Sequence, residues 1–123
     1  VSFELLEALR YLNWVKPEGK ILLNNFSVLP PSVSLGKMEY PRDVEQTFRK
    51  YFSENVWLIN GYETAKNIGN LQVANVVLLG ALSCFFPELK EERWTDALKS
   101  LLPGRLHEIN ILAFKEGKAA ITG

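Results

Sequence analysis

The stretch Gly69–Gly80, GNLQVANVVLLG, decides the fold. It is apolar nearly all the way round, interrupted by Asn70, Gln72 and Asn75. Gly69 is placed to end one helix in a left-handed cap, and Asn70 to cap the start of the next. From there to Pro87 the run is helix-sized, about 24 Å at about 1.5 Å per residue. ANVVLL alone would pass for a buried strand, because Val76 and Val77 are β-branched. A strand of this span would be unusually long, so length decides for a helix. A helix without a polar face must be covered on most sides. It belongs at the centre of a layered domain or between two subunits. A buried amide without partners costs roughly 1–3 kcal/mol, so Asn75 is expected to lock this helix to a neighbouring loop.

Upstream, Val56–Ile59 (VWLI) reads as a short strand, closed by Asn60-Gly61 and followed by a helix to Ile68. Lys20–Asn24 (KILLN) reads as another, with Asn24 where such a strand ends. Neither alternates, as expected when both faces are covered. Between them lies a helix over Pro41–Phe52, with Val44, Phe48, Tyr51 and Phe52 as its apolar stripe and Glu45 one turn before Arg49. Two strands joined through a helix make a βαβ unit, so they should run parallel. Two parallel strands do not make a stable sheet alone. The residues therefore read as the C-terminal part of a larger α/β domain.

The opening residues form a helix that Ser2 is placed to cap, with Glu4 set against the positive end of its dipole, running through Val15 with Leu5, Leu9 and Leu12 as its stripe. Lys16-Pro17-Glu18-Gly19 turns the chain. Phe26–Pro41 is a long connection holding Pro30-Pro31, Gly36 and Tyr40-Pro41. Its prolines fix φ and remove donors, and loops this long inside compact domains are usually functional or disordered. Phe26, Val28, Leu29, Val33, Leu35 and Met38 are too apolar for a free linker. Two readings stand: a loop that packs on a partner or covers a site, and a loop packed on its own domain. Downstream of Pro87, Trp94, Ala97, Leu98 and Leu101 mark an amphipathic helix closed by Pro103-Gly104. A last helix runs from about Leu106 to Glu116, with Ile109, Leu112 and Ala113 inward and Gly117 as its stop.

The 123 residues suffice for one domain and carry 14 basic and 14 acidic side chains. Without a basic block, nucleic acid is not the expected partner. The longest apolar run, Val76–Leu82, is too short to span a bilayer. One cysteine, Cys84, forms no intrachain disulfide, which fits the cytoplasm. It lies in the greasy helix and reads as a packed thiol rather than a nucleophile. No GxGxxG, P-loop, CxxC, HExxH or GxSxG pattern is present. His107 is the one histidine, too few for a metal site, and reads as solvated or capping. Glu91, Glu92 and Arg93 read as a solvated cluster. Asn24, at the end of a parallel strand, is the polar residue placed where α/β sheets bind ligands, against a turn or capping role. The residues alone describe no self-contained active site.

Several stretches, in order, resemble the gamma-type domain of the 2-oxoacid:ferredoxin oxidoreductases. FELLEALRYLNWVKPEGKILLNN is similar to that family's "EALR…L…KPGG…N" segment at Glu7, Ala8, Leu9, Arg10, Lys16, Pro17, Gly19 and Asn24. Glu18 departs from it, standing where the family usually has glycine. PPSVSLGKMEYP, from Pro30 to Pro41, is similar to the form in the beta subunit of the indolepyruvate branch. GNLQVANVVLLGAL, from Gly69 to Leu82, resembles the "GN…NV…LGA" helix, and HEINILAFKEG the closing "E.N..AF..G" stretch. The family's glycine-rich first turn has no counterpart here.

The resemblance implies an α/β, Rossmann-like three-layer fold with a parallel sheet flanked by helices, residues 1–123 being the C-terminal portion of one such domain. It implies an accessory subunit that binds no cofactor itself. The complex would oxidatively decarboxylate a 2-oxoacid, an aryl pyruvate for the indolepyruvate branch, to the acyl-CoA, and pass electrons to ferredoxin. Thiamine diphosphate, iron–sulfur clusters and coenzyme A would belong to partner subunits or the complex. Asn24, Pro30, Pro31, Asn70 and Asn75 are the expected interface or ligand-proximal residues. Two other readings remain: a stand-alone nucleotide-binding α/β module and a structural interaction domain.

Overall fold

The computed structural model describes residues 1–29, 31–36, 41 and 43–123, without the side chains of residues 32 and 33. The chain divides into two compact units, Val1–Leu58 and Ile59–Gly123.

The first unit is built on two parallel strands, β1 (Ile21–Asn24) and β2 (Val56–Ile59), paired with each other. All four β1 residues are buried, matching their lack of alternation. On the other edge of β1, Ser2 forms a parallel bridge to Leu23. Its N–H donates to Leu22 O at 2.9 Å, and its carbonyl accepts from the Asn24 N–H at 2.9 Å. Ser2 therefore belongs to the sheet and does not cap the first helix. That helix, α1 (Leu5–Arg10), is capped by Glu4, and a separate 3-10 turn follows over Leu12–Trp14. The expected continuous helix to Val15 is broken where the Tyr11 N–H bonds back to Ala8 O at 3.1 Å.

The connection after β1 contains a four-residue helical turn, α2 (Pro31–Ser34), which the prolines had not suggested. Helix α3 (Val44–Phe52) begins three residues later than expected. Asp43 stands in the left-handed region at φ 63°, which a right-handed helix cannot continue through. Val44, Phe48 and Phe52 recur every four residues and close over Ala8, Ile21, Leu23 and Val56 to make the core. Tyr51, expected on that stripe, is exposed. Glu45 and Arg49 form the ion pair their spacing suggested, at 2.7 Å.

The second unit is helical: α4 (Gly61–Ile68), a 3-10 turn over Leu71–Val73, α5 (Ala74–Ser83), α6 (Glu91–Leu101) and α7 (His107–Thr122). Gly69 ends α4 in the left-handed region at φ 98°, and the Asn70 side chain caps the turn leading to α5. Helix α5 stops at Ser83, short of Phe86, because the next three N–H groups bond back three residues instead of four. Seven of its ten residues are buried, and α4 and α7 pack on it.

Helix α7 runs through Gly117 rather than stopping there. A Cβ on Gly117 would lie 1.8 Å from Val77 O, and one on Gly80 would lie 1.9 Å from Phe114 O. The two glycines let α5 and α7 meet backbone to backbone. That crossing turns Asn110, Ala113, Phe114 and Gly117 inward and leaves Leu112 exposed, contrary to its expected place. In α6 only Leu98 is fully buried; Ala97 and Leu101 face outward, Leu101 at 80% exposure. Trp94 fills the inner position between Phe86 and Phe114, with ring centroids 6.1 and 6.2 Å away.

Candidate functional site

The carboxyl end of β1 and the loop after it form the best-defined polar construction in the first unit. Asn24 is completely buried there. Its Nδ2 donates to Phe3 O at 3.0 Å and its carbonyl accepts from the Phe26 N–H at 2.8 Å. The side chain thus ties Val1–Phe3 to the strand end, a turn-and-cap contact.

Glu4, expected beside the positive end of the first helix's dipole, is its N-cap and completes the tie. One carboxylate oxygen accepts from the Glu7 N–H at 2.7 Å, the N-cap bond of α1. The other accepts from the Val28 N–H at 3.1 Å. The Leu5 N–H donates to Phe26 O at 2.9 Å. Residues 2–5 and 24–28 are therefore laced together by backbone and carboxylate bonds. A signal was available: Glu4 stands three residues before Glu7 at the head of an apolar stripe, where an oxygen-bearing cap belongs.

Outside this lacing the loop exposes apolar groups. Val28 and Leu29 are 56% and 57% exposed, Phe3 57%, and Leu35 71%. Met38 of the same loop lies outside the described residues. Pro31 opens α2 and is exposed; Pro30 lies outside the described residues. Under α1 an apolar cavity of about 170 Å³ is lined by Tyr11, Val15, Ile21 and Phe48 among others. That is below the roughly 300–1,000 Å³ of ordinary cofactor sites.

In the second unit, Asn70 caps, as expected. Asn75 is exposed, not buried, so it does not lock α5 to a loop. It lies between Leu71 and Leu79 at four-residue spacing on the outward face of this segment. Helical phase places it there: the α7 crossing fixes Val77, Gly80 and Ala81 inward. His107 opens α7 and its Nε2 lies 2.8 Å from Leu102 O, closing the end of α6.

Glu91, expected to be merely solvated, bonds Lys118 at 2.7 Å and fastens α6 to α7. The Lys118 ammonium, hydrogen-bonded to it, holds the Glu91 carboxyl below the usual carboxylate range, and the same bond raises Lys118. Cys84 lies beside this pair, and burial pushes its thiol up. Cys84, Phe86, Trp94 and Lys118 share a cleft of about 310 Å³. Trp94 Nε1 is buried there with no acceptor among the described residues. Also among the described residues, no three His, Cys, Asp or Glu side chains come together as a metal site, and no helix is long and apolar enough to cross a membrane.

Residues 1–120 match the family described as pyruvate ferredoxin/flavodoxin oxidoreductase. The chain is also similar to curated proteins named indolepyruvate oxidoreductase subunit IorB. It is 33% identical to that of Thermococcus kodakarensis over 98% of this chain and 61% of the relative. It is 32% identical to that of Pyrococcus horikoshii over the same shares. It is 28% identical to that of Archaeoglobus fulgidus over 100% of this chain and 63% of the relative. The chain thus spans about three fifths of the length of these relatives. No solved structure matches it.

Proposed function

Because the chain belongs to the pyruvate ferredoxin/flavodoxin oxidoreductase family, we propose that it acts as an accessory subunit, or part of one, in a 2-oxoacid:ferredoxin oxidoreductase. The reaction it supports in this reading is oxidative decarboxylation of an aryl pyruvate such as indolepyruvate. The acyl group passes to coenzyme A and the electrons to ferredoxin, in the cytoplasm. The observation that carries this is similarity along 98% of the chain to relatives named as subunits of an indolepyruvate oxidoreductase.

Residues 1–123 are then the C-terminal portion of a gamma-type domain with a Rossmann-like, three-layer arrangement. The Ser2–Leu23 bridge supports this reading. With β2 on the far edge of β1, three segments run side by side in parallel.

The chain's own residues do not fit the family's cofactors. An iron–sulfur cluster takes about four thiolates, and Cys84 is the single cysteine. The diphosphate of thiamine is held through a divalent cation with oxygen ligands, which this reading places with the companion. Both groups belong to companion subunits in this reading. This chain contributes an interface, which we place at the Asn24 end of the sheet, the loop through Pro30 and Pro31, and the face carrying Asn70 and Asn75.

The test is co-expression of the full-length protein with a thiamine- and cluster-binding companion, followed by affinity capture of this chain. A brown, iron-containing complex is expected. A colourless single protein would count against the assignment.

A further inference from the structure

We propose that the cleft shared by the end of α5, the start of α6 and the last turns of α7 binds a small organic anion with an apolar body. The inference goes beyond the accessory-subunit reading and does not rest on it, because it concerns a ligand that this chain holds by itself. Three observations carry it.

The first is the shape of the cleft. It measures about 310 Å³, and its walls include Cys84, Phe86, Leu89, Lys90, Trp94 and Lys118. That reaches the lower end of the roughly 300–1,000 Å³ of small-molecule sites. All its walls belong to the second unit, and every residue in them is described. Phe86 and Trp94, with ring centroids 6.1 Å apart, and Leu89 beside them give it an apolar side.

The second is an unspent donor. The chain itself engages the hydroxyls and the thiol of the walls. Ser83 Oγ donates to Gly80 O at 2.6 Å, and Thr122 Oγ1 to Lys118 O at 3.2 Å. The Cys84 thiol packs on the Gly80 and Lys118 carbonyls. Trp94 Nε1 is buried without an acceptor among the described residues. Such an N–H is rare in folded proteins and costs stability. A ligand oxygen seated against the indole supplies the acceptor that the chain lacks.

The third is charge. Lys90, Glu91 and Lys118 are the charged side chains of the walls. Glu91 takes one N–H of the Lys118 ammonium at 2.7 Å and leaves the others. Lys90 is exposed and makes no ion pair among the described residues. Two ammonium groups against one carboxylate leave an excess of positive charge. Lys115 and Glu92, which act on the pair from nearby, oppose each other in sign. The complement is an anion, and a carboxylate on an aromatic ring matches both sides of the cleft.

The experiment titrates phenylacetate into the isotope-labelled full-length protein and follows its indole N–H resonances by NMR, with Trp94→Phe identifying that of Trp94. The Trp94 resonance should move downfield and saturate, with a half-point at or below about 1 mM, a range open to a ligand of this size. Phenylacetate should also slow the labelling of Cys84 by a disulfide reagent. Lys90→Gln, which removes no bond within the fold, should weaken binding by about twofold to fivefold. Trp94→Phe should weaken it by about threefold to tenfold. A Trp94 resonance that stays in place at millimolar phenylacetate overturns the proposal, as it would if the rest of the full-length chain filled the cleft. Unchanged Cys84 labelling at saturation overturns it too, because the ligand would then sit elsewhere. So does equal binding of acetate, which lacks the apolar body, or of phenethylamine, which carries the opposite charge. None of these outcomes bears on assembly with a companion, so this inference and the accessory-subunit reading stand or fall separately.

Discussion

Gly80 and Gly117 show how single residues decide the second unit. In an exposed helix, glycine to alanine is usually stabilising by up to about 1 kcal/mol. Here the sign reverses, because the added methyl would meet backbone: Phe114 O at 1.9 Å and Val77 O at 1.8 Å. Carbonyl oxygens on facing helices cannot rotate away as a side-chain end can, so the helices must part. Gly80→Ala and Gly117→Ala should each cost about 1–3 kcal/mol or more in urea unfolding. Gly104→Ala, where a Cβ meets nothing within 4 Å, should stay within about 0.5 kcal/mol. Equal effects at the three positions would show that the close crossing does not form. Cys84 gives a second check at this scale. Burial raises its thiol pKa, and its sulfur packs 3.7 Å from Lys118 O. Its reaction with a disulfide reagent at neutral pH should be slower than that of a free thiol. Rapid labelling would mean the α5 end is open.

Among the elements, the fastening of α6 to α7 has a defined pH signature. Glu91 is lowered in the folded protein, so its contribution is present above its unfolded pKa and is lost as pH falls through the folded value. Lys118 is raised, so its contribution is full below its unfolded pKa and is lost as pH rises through the folded value. The side chains are 35% and 38% exposed, and solvent screening holds such a pair to at most about 1 kcal/mol. Glu91→Gln should therefore lower the urea midpoint at about pH 7 and leave it unchanged well below the carboxylate range. A loss independent of pH would assign the effect to packing.

This scale also separates what the sequence disclosed from what it hid. Short apolar runs placed β1 and β2, periodicity placed α3, and Gly69-Asn70 marked the α4–α5 junction, because each is a local rule of composition, spacing or capping. Helix α5, which begins at Ala74 rather than Asn70, was legible by its missing polar face, and α4 and α7 do cover it. Gly117 misled, because a glycine inside a helix and a glycine that ends one look alike until a second helix is laid across it. Ser2 misled for a similar reason. A serine before an apolar stripe reads as a cap, and only pairing with Leu23, twenty-one residues later, draws it into the sheet. At the candidate site the placement of Asn24 was legible. Its partner Phe3 and the second clamp at Glu4 were not, because both depend on tertiary bonds across more than twenty residues.

For the whole molecule, the described residues present exposed apolar surfaces and bring no three His, Cys, Asp or Glu side chains together as a metal site. Family membership and similarity to proteins named as oxidoreductase subunits supply the context in which such surfaces have work to do. The direct measurement is ferredoxin reduction by the companion subunit, supplied with indolepyruvate and coenzyme A, as the full-length form of this protein is titrated in. The account predicts that the rate rises from near zero and saturates as this protein is added. A companion that reduces ferredoxin at the full rate alone would contradict it.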